Sequence, residues 1–215
     1  MKKIFRPFWV FLMPLLALSM SACAEQYTEG KQYTTVSDQA STKKEVREYF
    51  SVDCGHCFKF EPFMASVKKS LPEGVAFERN HVDFLRAASP KIQQMVSKAV
   101  VVAEQLEMED ELVGALFNYI HIQRAVITSE KDIRNIFVLN GADGDKFDKL
   151  MKSFSVNGKA KAMKKNQDEM SAKRALTGVP TVIVNGKYKI NGDKLDKNNF
   201  EQDYKNLVKY LSELD

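Results

Sequence analysis

The feature that most limits the possible folds is a long block of helical periodicity enclosed between two segments with strand patterns. Within Ser89–Leu176, apolar residues recur every three or four positions, as on the buried face of an amphipathic helix. Before this block, Glu45–Val52 and Val75–Val82 are short runs with the apolar and aromatic residues typical of strands. After it, VPTVIVNGKYKIN (179–191) predicts a hairpin that turns at Asn185-Gly186. Because neither flanking segment is stable alone, both should pair in one sheet, which predicts an α/β domain interrupted by a helical insertion.

Local capping signals divide the helical block into helices. Ser89 is a good N-cap and is followed by Pro90, which is favoured at the first helical position. Ser129 and Asp132 have the spacing of a capping box, and Asn140-Gly141 is a helix-ending pair. Three further apolar stripes each predict a helix. The second helix of the block has Leu112, Leu116, Tyr119 and Ile120, and the fourth has Phe147, Leu150, Met151 and Phe154. The closing helix has Phe200, Tyr204, Leu207, Val208 and Leu211.

The N-terminus has the pattern of an export signal. Three basic residues precede an apolar run at 8–18 that is too short to span a bilayer comfortably, and the small residues Ala22-Cys23-Ala24 follow. We therefore predict a signal peptide over residues 1–24 and a mature protein that works outside the cytoplasm. A plain membrane anchor is the alternative interpretation of the same segment.

Cys23 adds a second possibility for the mature N-terminus. Ser21-Ala22-Cys23 resembles the end of a bacterial lipoprotein signal, in which the cysteine becomes the acylated first residue. Whether Cys23 is removed or lipidated, Cys54 and Cys57 are the only thiols left, which suits an oxidising compartment. The basic residues of the leader also account for most of the net charge of +4, so no nucleic acid or other polyanionic partner is expected.

The stretch FSVDCGHCFKFEPF (50–63) places Cys54 and Cys57 three residues apart at the end of a predicted strand. A zinc site would need four ligands, and His81 and His121 lie far from the motif in sequence. A purely structural disulfide is also disfavoured, because a bridge across so small a loop removes little entropy from the unfolded chain. A redox pair is therefore the favoured interpretation, and neither a metal nor another cofactor is expected.

The position of the motif assigns the two cysteines different roles. Cys54 at the N-cap of the following helix would have its thiolate stabilised by unpaired backbone N–H groups and by the helix dipole, and His56 would add a further stabilising interaction. A stabilised thiolate makes the disulfide a stronger oxidant. We expect Cys54 to be the exposed sulfur that a substrate attacks, and Cys57 to be buried and to resolve the mixed disulfide.

Four separated segments resemble the bacterial periplasmic DsbA family, in the family's order: YTEGKQYTT (27–35), REYFSVDCGHCFKFEP (47–62), NHVDFL (80–85) and TGVPTVIVNGKYKIN (177–191). The resemblance implies a thioredoxin-like fold with an inserted all-helical domain. The domain boundaries that follow are a first thioredoxin-like part at 25–84, a helical insertion at 85–176 and a second thioredoxin-like part at 177–215.

The resemblance also implies a direction for the chemistry. Proteins of this family donate their disulfide to newly exported proteins with cysteine thiols and are reoxidised by DsbB, a quinone-linked membrane protein; a monomer is expected. By the same match, Val179-Pro180 corresponds to a loop with a cis peptide bond that faces the disulfide and binds substrate as an added strand.

Glu48 matches the family's acidic residue beneath the cysteines. The alternative is an exposed strand carboxylate, but alternation places Glu48 on the same face as Val46 and Phe50. A half-buried carboxylate near Cys57 could transfer protons while disfavouring a second anion.

One position departs from the family pattern. DsbA proteins usually have Pro-His between the cysteines, whereas Gly55-His56 is the pair of protein disulfide isomerases, whose potential of about −180 mV is less oxidising than the roughly −120 mV of DsbA. We therefore predict a less oxidising enzyme. A disulfide isomerase or reductase stays an alternative function, and so does a binding or chaperone module with a structural disulfide.

Other charged and histidine residues predict no further site. The basic cluster around Lys164 and Lys165 is interrupted by Asp168 and Glu169, which favours a solvated helix surface. His81 and His121 are interpreted as packing residues.

Overall fold

The computed structural model describes residues 27–214. The predicted signal peptide, with Cys23, lies outside the described residues. Between these limits, no helix combines the length and the apolar composition needed to cross a membrane.

A five-stranded mixed sheet forms the centre of the structure. Its strands in chain order are β1 (Tyr33–Thr35), β2 (Glu45–Phe50), β3 (Ala76–His81), β4 (Thr181–Val184) and β5 (Tyr188–Ile190). They lie in the spatial order β1-β5-β4-β2-β3, in which β2 and β3 are parallel and the other neighbours antiparallel. Strands from before and after the helical block thus pair through β2 and β4, as the sequence predicted.

Within residues 27–214, seven α-helices surround or extend from this sheet. They are α1 (Gly55–Lys69), α2 (Pro90–Gln105), α3 (Glu109–His121), α4 (Glu130–Leu139), α5 (Gly144–Lys152), α6 (Phe154–Ala172) and α7 (Phe200–Glu213). Helices α2 to α6 all lie between β3 and β4 in the chain. The predicted thioredoxin-like fold with an inserted helical domain is therefore confirmed, while the exact domain boundaries stay predictions.

The helix caps and the hairpin turn are formed by the residues that the sequence predicts. The Ser89 hydroxyl accepts the Ile92 N–H at 3.3 Å at the start of α2, and Ser129 and Asp132 form a capping box before α4. The β4–β5 turn has positive φ at both Asn185 and Gly186, as an Asn-Gly hairpin turn requires.

Two predictions about the elements were incomplete or wrong. Strand β1 was not predicted. The sequence pattern places Phe154 on the apolar stripe of the fourth helix of the block, but α5 ends at Lys152, and Phe154 is 99% exposed as the first residue of α6. Ser153 ends one helix and caps the next, accepting the Val156 N–H at 3.2 Å, and this break changes which face is buried.

The core continues from the sheet into the helical insertion at the position of the cysteines. Phe50 and Val52 at the end of β2 and Cys57 of α1 pack in one buried cluster with residues of α2 to α6, Phe117 among them. A second cluster joins Val46, Met64 of α1 and the apolar face of α7. The end of β2 and the first turn of α1 therefore lie where the sheet meets the insertion.

Candidate active site

Cys54 is the N-cap of α1, as the sequence predicted. Strand β2 ends at Phe50, and a turn follows in which the Cys54 N–H donates to the Ser51 carbonyl at 3.0 Å. The extended backbone of Cys54 (φ −91°, ψ 112°) places its Sγ where it accepts the Cys57 N–H at 3.2 Å. The first turn of a helix has unpaired N–H groups and the positive end of the dipole, so this sulfur lies where negative charge is stabilised.

Cys57 occupies a contrasting environment. Its side chain is 1% exposed, whereas Cys54 is partly exposed, and both cysteines have free thiols in the structure. Burial raises the pKa of the Cys57 thiol well above its ordinary value, and its hydrogen-bonded contact with Cys54 acts in the same direction. A nucleophile from solvent therefore reaches Cys54 in preference to Cys57.

The loop before β4 faces the exposed cysteine. The Val179-Pro180 peptide bond is cis, and the Cys54 thiol donates to the Val179 carbonyl oxygen across 3.5 Å. This carbonyl is the last before the proline. The predicted proximity of this loop to the cysteine pair is therefore present in the structure.

His56 lies in the first turn of α1 with its side chain exposed to solvent. Among the described residues, none makes a hydrogen bond with its ring. The predicted stabilising contact with the Cys54 sulfur is therefore not formed in this arrangement, and the role of His56 stays a prediction.

A second histidine, which the sequence predicts to be a packing residue, lies beside the motif. The His121 ring at the end of α3 stacks on Phe58 at 5.1 Å between centroids, and its Nε2 donates to the Val52 carbonyl at 2.8 Å. Its Cε1 lies 3.9 Å from the position that a Cβ on Gly55 would take. His121 does pack, but it also attaches the helical insertion to the cysteine loop; only the tertiary contact between α3 and α1 reveals this.

Glu48 is more deeply buried than predicted. The residue is fully buried, and neither carboxylate oxygen has a hydrogen-bond partner among the described residues. Burial raises its pKa from 4.5 to about 8, and this effect exceeds the opposing attraction of Arg79, its neighbour on β3. The negative charge of Glu48 in turn raises the pKa of Cys57, so the two groups interact. The alternative of an exposed strand carboxylate is wrong.

The other candidates form no site. Residues 27–214 contain no group of three or more His, Cys, Asp or Glu placed to hold a metal ion. Lys164 and Lys165 pair with Asp168 and Glu169 along the surface of α6. His81 is a buried packing residue whose Nδ1 bonds Ser97 Oγ at 2.8 Å.

Comparisons with known proteins agree with this geometry. Residues 45–205 match the model of the DSBA-like thioredoxin domain family. The chain is 38% identical over 219 aligned residues to a thiol:disulfide interchange protein DsbA of Escherichia coli, covering 99% of both chains, and 36% identical to DsbA of Salmonella typhimurium over 98% of both. Among solved structures, DsbA of Proteus mirabilis bound non-covalently to the peptide PWATCDS superposes with a TM-score of 0.77 at 30% identity, covering 86% of this chain and 98% of that one.

Proposed function

Because this chain belongs to the DSBA-like thioredoxin domain family and is a thiol:disulfide oxidoreductase, we propose that the Cys54–Cys57 disulfide oxidises newly exported proteins in the periplasm. The observation that carries the proposal is the N-cap position of Cys54, whose sulfur accepts the Cys57 N–H at 3.2 Å. This arrangement favours the thiolate at the sulfur that the reaction must release.

The proposed reaction moves two electrons from a substrate dithiol to the cysteine pair. A substrate thiolate attacks Cys54 Sγ, the Cys54–Cys57 bond breaks, and Cys57 Sγ leaves with the bonding electrons and takes up a proton. A second substrate thiolate then attacks the substrate sulfur of the mixed disulfide and displaces the Cys54 thiolate. The substrate gains a disulfide, and the enzyme is left as a dithiol.

Stabilisation of the Cys54 thiolate supports this direction. The reduced enzyme is a product of substrate oxidation, so an interaction that stabilises it makes the oxidation more favourable. Each 30 mV increase in the redox potential of the enzyme corresponds to about 1.4 kcal/mol of such stabilisation. The backbone donor at Cys57 and the dipole of α1 act in this way. We assign His56 an auxiliary role as a neighbouring positive group when it is protonated.

Substrate binding is proposed at the loop that contains Val179 and Pro180. The Val179 carbonyl, 3.5 Å from Cys54 Sγ, is a backbone acceptor that an extended peptide could use by adding a strand. A cavity of about 490 Å³ lies beside this loop, lined in part by Phe60, Phe200 and Tyr204. The peptide complex of the Proteus mirabilis relative supports a peptide as the substrate here.

Glu48 is proposed to couple protonation to departure of the Cys57 sulfur. Protonated Glu48 adds no negative charge beneath the pair and can supply a proton, whereas ionised Glu48 disfavours a thiolate at Cys57. Since burial raises the pKa of Glu48 to about 8, the protonated form predominates at neutral pH.

The remaining parts of the proposal follow from the sequence and the family. The enzyme acts as a monomer, without metal or other cofactor, and does not bind nucleic acid. A DsbB-like, quinone-linked membrane oxidase accepts its electrons: Cys54 attacks a disulfide of that partner, and Cys57 then attacks Cys54 Sγ to restore the enzyme disulfide. Export by residues 1–24 is proposed, with lipid anchoring through Cys23 as the alternative.

Trapping of the mixed disulfide tests the proposal. Cys57→Ser, with Cys54 first joined to glutathione in a mixed disulfide, should form a covalent complex with a single-cysteine variant of an unfolded substrate protein. The substrate thiolate attacks Cys54 Sγ and glutathione leaves as the thiolate, and the internal thiol that would reverse this attack is gone. Cys54→Ser is the matched control and should form no complex. Oxidised wild type should convert the substrate dithiol to a disulfide, and both variants should lack this activity. A wild type that binds the substrate without oxidising it would instead indicate a binding or chaperone module.

The isomerase alternative is favoured by one feature, the Gly55-His56 pair. Refolding of a substrate with scrambled disulfides distinguishes the two activities. An oxidase is active on the reduced substrate and adds little to the recovery of the scrambled one, whereas an isomerase in its reduced form restores the scrambled substrate.

A further inference from the structure

A buried charge network links the helical insertion to the residues beneath the cysteine pair. The Arg79 side chain is fully buried, and its Nη2 donates to Glu61 Oε1 of α1 at 2.6 Å and to Asp110 Oδ1 of α3 at 3.2 Å. Its Nε lies 3.7 Å from Glu109 Oε2. One guanidinium therefore pairs with carboxylates from two helices, and it acts on its strand neighbour Glu48 only through a longer-range attraction.

Glu48 is the carboxylate that this network leaves unpaired. Arg79 is paired with Glu48 in the β2–β3 register, yet the guanidinium donates to Glu61 and Asp110 and not to Glu48. Among the described residues, the buried side-chain polar atoms without a hydrogen-bond partner belong to Glu48, Glu61 and Arg79, together with one nitrogen of His81. Unsatisfied buried atoms are rare in native structures, so their concentration around Glu48 calls for an explanation.

The remaining neighbours of Glu48 cannot neutralise it. Its partner on β4, Val182, is apolar, and Tyr204 of α7 is buried with a raised pKa, so it stays neutral. Lys68 pairs with Asp110 at 2.9 Å and with Glu109 at 3.4 Å, and it is one-third exposed. The titratable or charged groups around Glu48 and its counter-ion are therefore Arg79 of β3, Cys57, Glu61 and Lys68 of α1, Glu109 and Asp110 of α3, and Tyr204 of α7.

We propose that Glu109 and Asp110, in the first turn of α3, are positioning residues for the redox pair. By drawing Arg79 towards the helical insertion, they weaken its hold on Glu48 and set the pH at which Glu48 becomes an anion beneath Cys57. The insertion thereby adjusts the pH range over which the disulfide is readily reduced.

The direction of each effect follows from the charges. Glu109 repels the Glu48 anion and attracts Arg79, so removal of its charge should ease ionisation of Glu48. Removal of the Asp110 charge leaves Arg79 with one acceptor fewer and acts in the same direction. Removal of Lys68 leaves the two acids less neutralised and acts in the opposite direction.

Direct titration of Glu48 tests this inference. In the oxidised protein labelled with ¹³C at glutamate carboxyls, Glu109→Gln and Asp110→Asn should each lower the Glu48 midpoint, together by about one pH unit. Lys68→Met should raise it. Glu111→Gln is the matched control, because Glu111 lies in the same first turn of α3 but is exposed and forms no ion pair in the described part of the chain.

A kinetic measurement connects the titration to the cysteines. Disulfide reduction by dithiothreitol is measured as a function of pH, and its rate is normalised to the concentration of the dithiothreitol thiolate. As the pH is raised, this rate should begin to fall at a lower pH in the α3 variants than in wild type. The difference should vanish in a Glu48→Gln background. An unchanged Glu48 midpoint in folded variants, or a kinetic effect that survives in that background, overturns the inference.

The two proposals fail separately. The inference rests on the proposed function only for its kinetic consequence, because the Glu48 midpoint is measured without substrate. If the midpoint moves as expected but no substrate protein is oxidised, the proposed function fails and the charge coupling stands. If substrate is oxidised but the Glu48 midpoint does not move, the charge coupling fails and the proposed function stands.

Discussion

Replacement of Glu48 by glutamine should stabilise the protein, by an amount that grows with pH. Glu48 is fully buried, and burial raises its pKa from 4.5 to about 8. A carboxyl whose folded pKa is raised contributes full stability below its unfolded pKa and loses it as pH rises through the folded value. Glutamine has nearly the same shape and never ionises, so it escapes this loss.

The size of the effect follows from the two pKa values. Each unit of difference corresponds to about 1.4 kcal/mol, so the ionisable group lowers the free energy of unfolding by about 3 kcal/mol at pH 7 and about 1 kcal/mol at pH 5. The attraction of Arg79 is already included in the raised pKa, and Arg79 keeps Glu61 and Asp110 as partners after the substitution.

Urea unfolding of the oxidised protein between pH 4.5 and 8 measures this difference without interference from the two thiols. Glu48→Gln should match wild type at the acidic end and exceed it increasingly as pH rises. Glu73→Gln, at an exposed position, should show no such trend. A stability difference that is the same at every pH would refute the reasoning, because it would place the effect in packing and not in ionisation.

Four further substitutions test local features. Gly55→Pro fits the first position of α1, where the nearest His121 atom lies 3.9 Å from the new Cβ. It should raise the redox potential, measured by equilibration with glutathione, towards the roughly −120 mV typical of DsbA. An unchanged potential would show that Gly55 does not make the enzyme less oxidising. Ser129→Ala should lower the free energy of unfolding by about 1 kcal/mol through loss of the α4 cap. Phe147 is buried, so Phe147→Ala should lower the free energy of unfolding by about 3–5 kcal/mol. Phe154 is exposed, so Phe154→Ala should change this free energy by less than about 0.5 kcal/mol. Equal effects of the two substitutions in urea unfolding would contradict the break between α5 and α6.

The features that sequence could predict depend on neighbouring residues. Helix caps at Ser89 and Ser129, the turn at Asn185-Gly186 and the N-cap position of Cys54 are each determined within a few residues, because the hydrogen bonds that form them span that distance. The periodicity of the helices and the alternation that directs Glu48 inward are equally local.

The features that sequence missed depend on distant contacts. Strand β1 has three residues, too few for a periodic signal, and exists through its pairing with β5. His121 reaches the cysteine loop because α3 packs on α1, which no spacing in the chain reveals. The stripe that included Phe154 continued the period of α5 past Ser153, where a new cap restarts the helix with a different face buried.

The charge network beneath the cysteines shows why such contacts matter for function. Strand alternation predicts an inward Glu48, and elementary electrostatics then predicts a buried counter-ion, since an isolated buried charge is strongly destabilising. Arg79 is this counter-ion, but its guanidinium donates hydrogen bonds to Glu61 and Asp110 and not to Glu48. Glu48 is therefore unpaired, and it is protonated at neutral pH. Stability alone would favour a paired or an apolar residue at this position. A native sequence that departs from this rule directly beneath a reactive disulfide is consistent with selection for the chemistry of Cys57, because local violations of folding rules are expected at functional sites.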